Sequence, residues 1–362
     1  MGFLVLSEDE VALLRFTCDL FFVEESPLFH VDAEQREPAD YEAAYEALLK
    51  KKALDPRGFR VTDEALNRLA PVTECNARVV HLHQDGHGHL KQNDFFLLDD
   101  IAVQHFSGEK GHAFGADMDQ DELVDYFARR MVARRSDGDA TDLRLSTLEY
   151  MVFALLINPA RLRSPSEIRF TELKALLGRS PTKEWLTRDL MSPAGGNILS
   201  MMQMRASSAA NGSTGLSKEK WVGSPLWDDA IAGLLHKGAL TKTNHSLRFS
   251  PSLLEIVKNL SQKERHTFVR YDFGHEEWLM RENTFLSLDG SLIFIGMDAG
   301  GMMQIKEMCG ESLNESLQAT LGPLAVQSSL KRVPDFRSQL SDWEGRTKMA
   351  PDVDPLTTLV SA

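Results

Sequence analysis

Cysteine is scarce: Cys18, Cys75 and Cys309 are the only three in 362 residues. They lie far apart and form no CxxC pair, which excludes a disulfide framework and reads as a reducing compartment. No uncharged run reaches the roughly 20 residues that span a bilayer, and the apolar stretch after Met1 meets acids too soon for a signal peptide. The expectation is a cytoplasmic protein with no membrane contact. Positive charge is in deficit, with 40 Lys and Arg against 53 Asp and Glu and a formal net charge of −13. Such a surface repels phosphate backbones and disfavours nucleic acid as a partner.

Catalytic signatures are missing too. The chain holds no G-x-S-x-G elbow, no H-E-x-x-H and no phosphate-binding P-loop. Gly296, Gly300 and Gly301 follow a strand pattern but lack the spacing of a dinucleotide fingerprint. No catalytic residue and no cofactor is therefore assigned, and no enzymatic activity is expected.

What the chain does contain is a pattern that occurs twice. Ser7 and Glu10 have capping-box spacing ahead of an apolar stripe, and Ser146 and Glu149 repeat it 139 residues later. A helix-ending segment from Leu49 to Leu54 returns from Leu235 to Leu240, an offset of 186. Thr62 and Leu66 match Ser250 and Leu254 at 188, and Phe95 and Asp99 match Phe285 and Asp289 at 190. Four correspondences in one order point to a duplicated unit, and two copies suit a pseudo-two-fold pair better than a solenoid. Alternating apolar runs around Asp85-Gly86 and Asp289-Gly290 predict an antiparallel meander of three or four strands in each copy, with one face buried. The fold class is thus α+β: two pseudo-symmetric halves, each a β-meander with flanking helices and winged-helix-like elements. The halves run over 1–136 and 137–325. The second carries a loop insertion at about 178–220, and 326–362 reads as a poorly ordered tail.

Three features offer chemistry. His81, His83, His87 and His89 flank the Asp85-Gly86 turn as H-x-H-x3-H-x-H. With a three-residue hairpin loop, His83 would face His87 and His81 would face His89, a set able to hold zinc or a similar metal. A two-residue loop would place the pairs on opposite faces and abolish the site, leaving a solvated His-rich hairpin. Met201, Met202 and Met204, inside the insertion, read either as core filling or as an adaptable apolar surface for another protein. The winged-helix-like units raise DNA binding. Yet the segment 62–69 carries Asp63, Glu64, Asn67 and Arg68, and 250–260 carries Glu255 and Lys258, so neither offers a basic reading helix.

The strand–turn–strand stretch Val269-Arg270-Tyr271-Asp272 through Phe294-Ile295, with its following helix, occurs in two related copies. In this plan the chain resembles the EspG family of type VII secretion chaperones over most of residues 1–325. The resemblance implies antiparallel sheet combined with helical bundles and a cytosolic role in binding secreted helical PE–PPE heterodimers. The expected function is a non-enzymatic chaperone or adaptor whose partner is another protein, held through an apolar helix. The alternatives are a metal-dependent enzyme or sensor using the histidine hairpin, and a winged-helix transcription regulator.

Overall fold

The computed structural model describes residues 2–17, 20, 22–31, 38–57, 60–87, 89–108, 111–131, 142–146, 149–150, 152–153, 156, 167–169, 225–243, 245–259, 264–273, 278–288, 290–297 and 303–323. The insertion at 178–220, the tail at 326–362 and Met201, Met202 and Met204 lie outside them.

The chain opens with strand β1 (Leu4–Leu6) and helix α1 (Glu8–Thr17). Ser7 and Glu10 form the expected capping box: the Glu10 N–H donates to Ser7 Oγ at 3.2 Å, and the Ser7 N–H donates to Glu10 Oε2 at 2.5 Å. Next come α2 (Pro38–Lys50), the short hairpin β2 (Leu54–Asp55) and β3 (Arg60–Val61), and α3 (Asp63–Thr73). A four-strand meander follows: β4 (Ala77–Gln84), β5 (Leu90–Leu98), β6 (Ile101–Gly108) and β7 (Gly111–Met118), closed by α4 (Gln120–Ala128). Asp119 caps α4, its carboxylate accepting from the Glu122 N–H at 2.8 Å.

The order then repeats. Strand β8 (Asp142–Leu145) leads to helical residues Glu149, Tyr150, Val152, Phe153 and Leu156, the short strand β9 (Ile168–Arg169) and helix α5 (Pro225–His236). Strands β10 (Leu240–Lys242) and β11 (Ser246–Phe249) and helix α6 (Pro251–Asn259) take the places of β2, β3 and α3. A second meander, β12 (Arg265–Phe273), β13 (Trp278–Leu288), β14 (Ser291–Met297) and β15 (Met303–Met308), ends in α7 (Gly310–Leu321).

The two meanders are not separate sheets. They join edge to edge in one ten-stranded sheet of order β1-β7-β6-β5-β4-β12-β13-β14-β15-β8. The seam is the antiparallel β4–β12 ladder, from Gln84 opposite Arg265 to Ala77 opposite Asp272. Counted outward from that seam, each side is a four-strand meander capped by a strand from the start of its own block.

One buried face per meander was the expectation; around the seam both faces are buried. Successive residues of a strand point to opposite faces. Phe95 and Phe96 on β5, Val79 and Val80 on β4, Phe268 and Val269 on β12, and Phe285 and Leu286 on β13 are all buried. Beneath the first meander the cover is helical on two sides, while at the seam Val80, Leu82, Val269 and Tyr271 pack in a cluster of their own. Helices α4 and α7 pack on each other, and their Leu123, Phe127, Leu313 and Leu317 meet Phe95, Phe268, Phe285 and Phe294. On the opposite face, Val11, Leu14, Leu48 and Leu69 from α1, α2 and α3 meet Phe96, Val103 and Phe114.

Candidate functional site

The histidine hairpin has a different register from the one expected. Gln84 pairs with Leu90, so the β4–β5 connection holds five residues, Asp85 to His89, and not three. The Asp85 carboxylate shapes that turn by accepting the backbone N–H groups of His87 and His89, each at 2.9 Å. A third contact, His89 Nδ1 at 2.9 Å, helps to hold its pKa down to about 2. His87 and His89 are therefore exposed turn residues. On β5 the residues opposite His83 and His81 are Lys91 and Asn93.

The strand on the other side of β4 changes the picture. His83 stands opposite His266 on β12, and His81 stands opposite Phe268. The His83 and His266 rings stack at 4.5 Å and 11°. His81 Nε2 lies 3.0 Å from His266 Nδ1, and His83 Nε2 lies 3.0 Å from Glu264 Oε1. His81 and His266 are both 3 % exposed. Burial, reinforced by their neighbours' like charge, pushes the His81 pKa well down and that of His266 down to about 4, so both are neutral at pH 7. The seam thus gathers His81, His83, His266 and Glu264, whereas the sequence offered four histidines of one hairpin as one of two alternatives. A local signal for the missing pair did exist. Glu264-x-His266 has the same alternate spacing as His81-x-His83, which puts each pair on one face of a strand.

At the opposite end of the seam the charged groups serve the fold. Arg270 donates through Nε and Nη2 to Asp272 Oδ1, at 2.9 and 2.6 Å, and through Nη1 to the Leu321 carbonyl. Arg281 Nη2 donates to the carbonyls of Thr320 at 3.2 Å and Gly322 at 2.9 Å. Two guanidinium groups therefore satisfy the last carbonyls of α7 and its negative dipole end. Burial, with Arg270 adding like charge, lowers the Arg281 pKa to about 10, so it stays charged at pH 7.

A third feature lies on the outer strands. Val5 on β1, Ala113 on β7 and Phe106 on β6 form a cross-strand row, and Phe3 packs its ring edge-on to Phe106 at 5.6 Å. Phe3, Val5 and Phe106 are 52 %, 44 % and 36 % exposed. Their neighbours Leu6 and Phe114 point the other way, into the core under α1 and α3. The row is an apolar strip beside a terminal strand of the sheet.

No protein-family model matches the chain, and no curated protein matches it. Among solved structures, the type VII secretion system chaperone EspG5 of Mycobacterium tuberculosis, solved in complex with a PE25–PPE41 dimer, is similar at a TM-score of 0.42. The sequence identity is 9%, covering 91% of this chain and 100% of that one. No helix among the described residues is long and apolar enough to cross a membrane.

Proposed function

We propose that this chain is a non-enzymatic protein-binding chaperone or adaptor that works in the cytoplasm. The carrying observation is the apolar strip of Phe3, Val5 and Phe106. Aromatic groups left open beside a terminal strand are a recognised kind of protein contact surface. Covering them removes apolar area from water, favourable by about 25 cal/mol per Å² before the cost of association. An amphipathic helix laid along the strip is the occupant that fits the sequence resemblance to secretion chaperones. The two blocks of the chain, 1–136 and 137–325, are in this reading copies of one ancestral unit. Their repeated order of elements supports it.

DNA reading has less support. Arg68, the basic residue of α3, donates to Glu64 Oε1 at 3.0 Å and to the Gly2 carbonyl at 2.8 Å, so its charge is engaged within the protein.

The test is purification of the full chain from native extract beside a Phe3→Ser/Phe106→Ser variant and a deletion of 178–220. The expected result is a stoichiometric protein partner that the serine variant loses while its melting temperature holds. The deletion separates this strip from Met201, Met202 and Met204 as the contact. Absence of any stoichiometric partner, or equal recovery by all three proteins, overturns the proposal.

A further inference from the structure

The polar groups at one end of the β4–β12 seam are arranged as a set of ligands. Nitrogen and oxygen atoms of His83, Glu264 and His266 lie within 4.8 Å of one another. The closer separations are 3.0 Å from His83 Nε2 to Glu264 Oε1 and 3.6 Å from His266 Nε2 to the same oxygen. Bonds of about 2.1 Å from a tetrahedral zinc ion put neighbouring ligand atoms about 3.4 Å apart, between those two distances. His266 is 3 % exposed, and its Nε2 makes no hydrogen bond of normal length: the Glu264 carboxylate, at 3.6 Å, is its long-range partner. A buried nitrogen held at that distance from a carboxylate leaves room for an ion between the two.

The groups behind it account for its orientation. Gln104 Nε2 donates to Asn93 Oδ1 at 3.0 Å, and Asn93 Nδ2 lies 3.3 Å from His81 Nδ1. With that amide nitrogen facing Nδ1, His81 carries its hydrogen on Nε2 and donates to His266 Nδ1. The His266 hydrogen is then on Nε2, aimed towards Glu264 at 3.6 Å. If both amides turn over, the chain runs the other way. His81 donates from Nδ1 to Asn93, His266 donates from Nδ1 to His81, and a lone pair appears at His266 Nε2. Neither imidazole gains or loses a proton overall. A hydrogen bond to the rear nitrogen of a ligating histidine is the usual support for a metal site.

We infer that His83, Glu264 and His266 form a site for a divalent transition cation of the zinc class, which fastens strand β4 to strand β12. Two imidazoles and one carboxylate suit a borderline cation, with a fourth position left for water. One ligand comes from the first meander and two from the second, so the ion bridges groups more than 180 residues apart in sequence. Lys91, which stands opposite His83 on β5, and Arg130 are opposing charges in the neighbourhood. The Arg130 guanidinium is held over the Tyr126 ring and donates to the Tyr126 carbonyl at 2.6 Å, while the Glu264 carboxylate supplies negative charge at the site itself.

Full-length protein without a histidine tag, stripped with a chelator, is titrated with Zn²⁺ by calorimetry and with Co²⁺ by visible absorption. One ion per chain and a rise in melting temperature on adding Zn²⁺ are expected. His83→Gln and Glu264→Gln weaken binding by about 100-fold or more. Their side chains are 25% and 46% exposed, so metal-free melting close to wild type confirms that they fold. The variant His87→Gln/His89→Gln binds like wild type. No binding by the wild type, unchanged binding in His83→Gln and Glu264→Gln, or loss of binding in His87→Gln/His89→Gln overturns the inference; the last result assigns the ion to the exposed turn.

Discussion

Lys237 Nζ lies 2.6 Å from Glu149 Oε2, and the same ammonium donates to the Arg144 carbonyl at 2.8 Å. The first block has the same arrangement, where Lys51 Nζ lies 2.6 Å from both carboxylate oxygens of Glu10. In each case the glutamate also closes a capping box with a serine three residues before it. In each case the lysine comes from the residues just past a later helix. The carboxylates are nearly buried, while the lysines are about one-third exposed.

Lys237→Met and Lys51→Met should each cost about 1–3 kcal/mol, because each leaves a buried carboxylate without its cation. Glu149→Gln/Lys237→Met should regain part of that loss. The two lysine effects should add, since the pairs share no partner. Urea midpoints of the singles and doubles measure this.

Just past the end of α2 stands Lys52 at φ 57, and just past the end of α5 stands Gly238 at φ 69. Both ends close alike. The Ala53 N–H reaches the Leu48 carbonyl and the Ala239 N–H reaches the Leu234 carbonyl, each at 2.9 Å. This Schellman closure favours glycine at the left-handed residue. Lys52→Gly should therefore stabilise by up to about 1 kcal/mol, and Gly238→Ala should destabilise by about 1 kcal/mol. Thermal melts of the two variants check both signs.

Stability should fall on acidification. His105 is buried against Phe96 with its Nε2 3.2 Å from His112 Nδ1, and burial, then His112, lowers its pKa to about 3. His266 is lowered to about 4. Below the ordinary 6.5 the unfolded chain binds protons that the folded chain refuses, so stability rises with pH through this window. The contribution is complete above 6.5 and is lost as pH falls towards 4 and then 3, with a slope of at most about 1.4 kcal/mol per pH unit per group. His105→Gln should flatten the dependence of melting temperature on pH between 6.5 and 4; an unchanged slope would refute the assignment.

Arg281→Met should leave the Thr320 and Gly322 carbonyls without their donor at the buried end of α7. A loss of about 1–3 kcal/mol is expected, with faster amide exchange over the last turn of α7 than elsewhere in the helix. Exchange mass spectrometry resolves that region.

Local chemistry was legible in the sequence. The capping pairs at Ser7 and Ser146 and the alternation of helices with antiparallel strands follow from side chains that act within a turn or two of their own position. The seam was not legible. Nothing within 77–84 or 265–273 says that these two strands pair with each other, because ladder bonds come from backbone groups that every strand carries. The companions of His81 and His83 were hidden for the same reason. His81 and His83 find their companions across the seam at His266 and Glu264, while the five-residue turn sends His87 and His89 to the surface. Two-sided burial of Phe95 and Phe96 was hidden as well, since it depends on helices supplied by both ends of the block.

The β4–β12 ladder also orders the birth of the molecule. Each meander can zip along hairpins whose partners are a few residues apart, whereas Phe268 must find His81 across 187 intervening steps of chain (268 − 81). Closing so wide a loop forfeits chain entropy before any contact returns it. The central ladder, although flanked by large aromatic groups, should therefore close after the hairpins on either side of it.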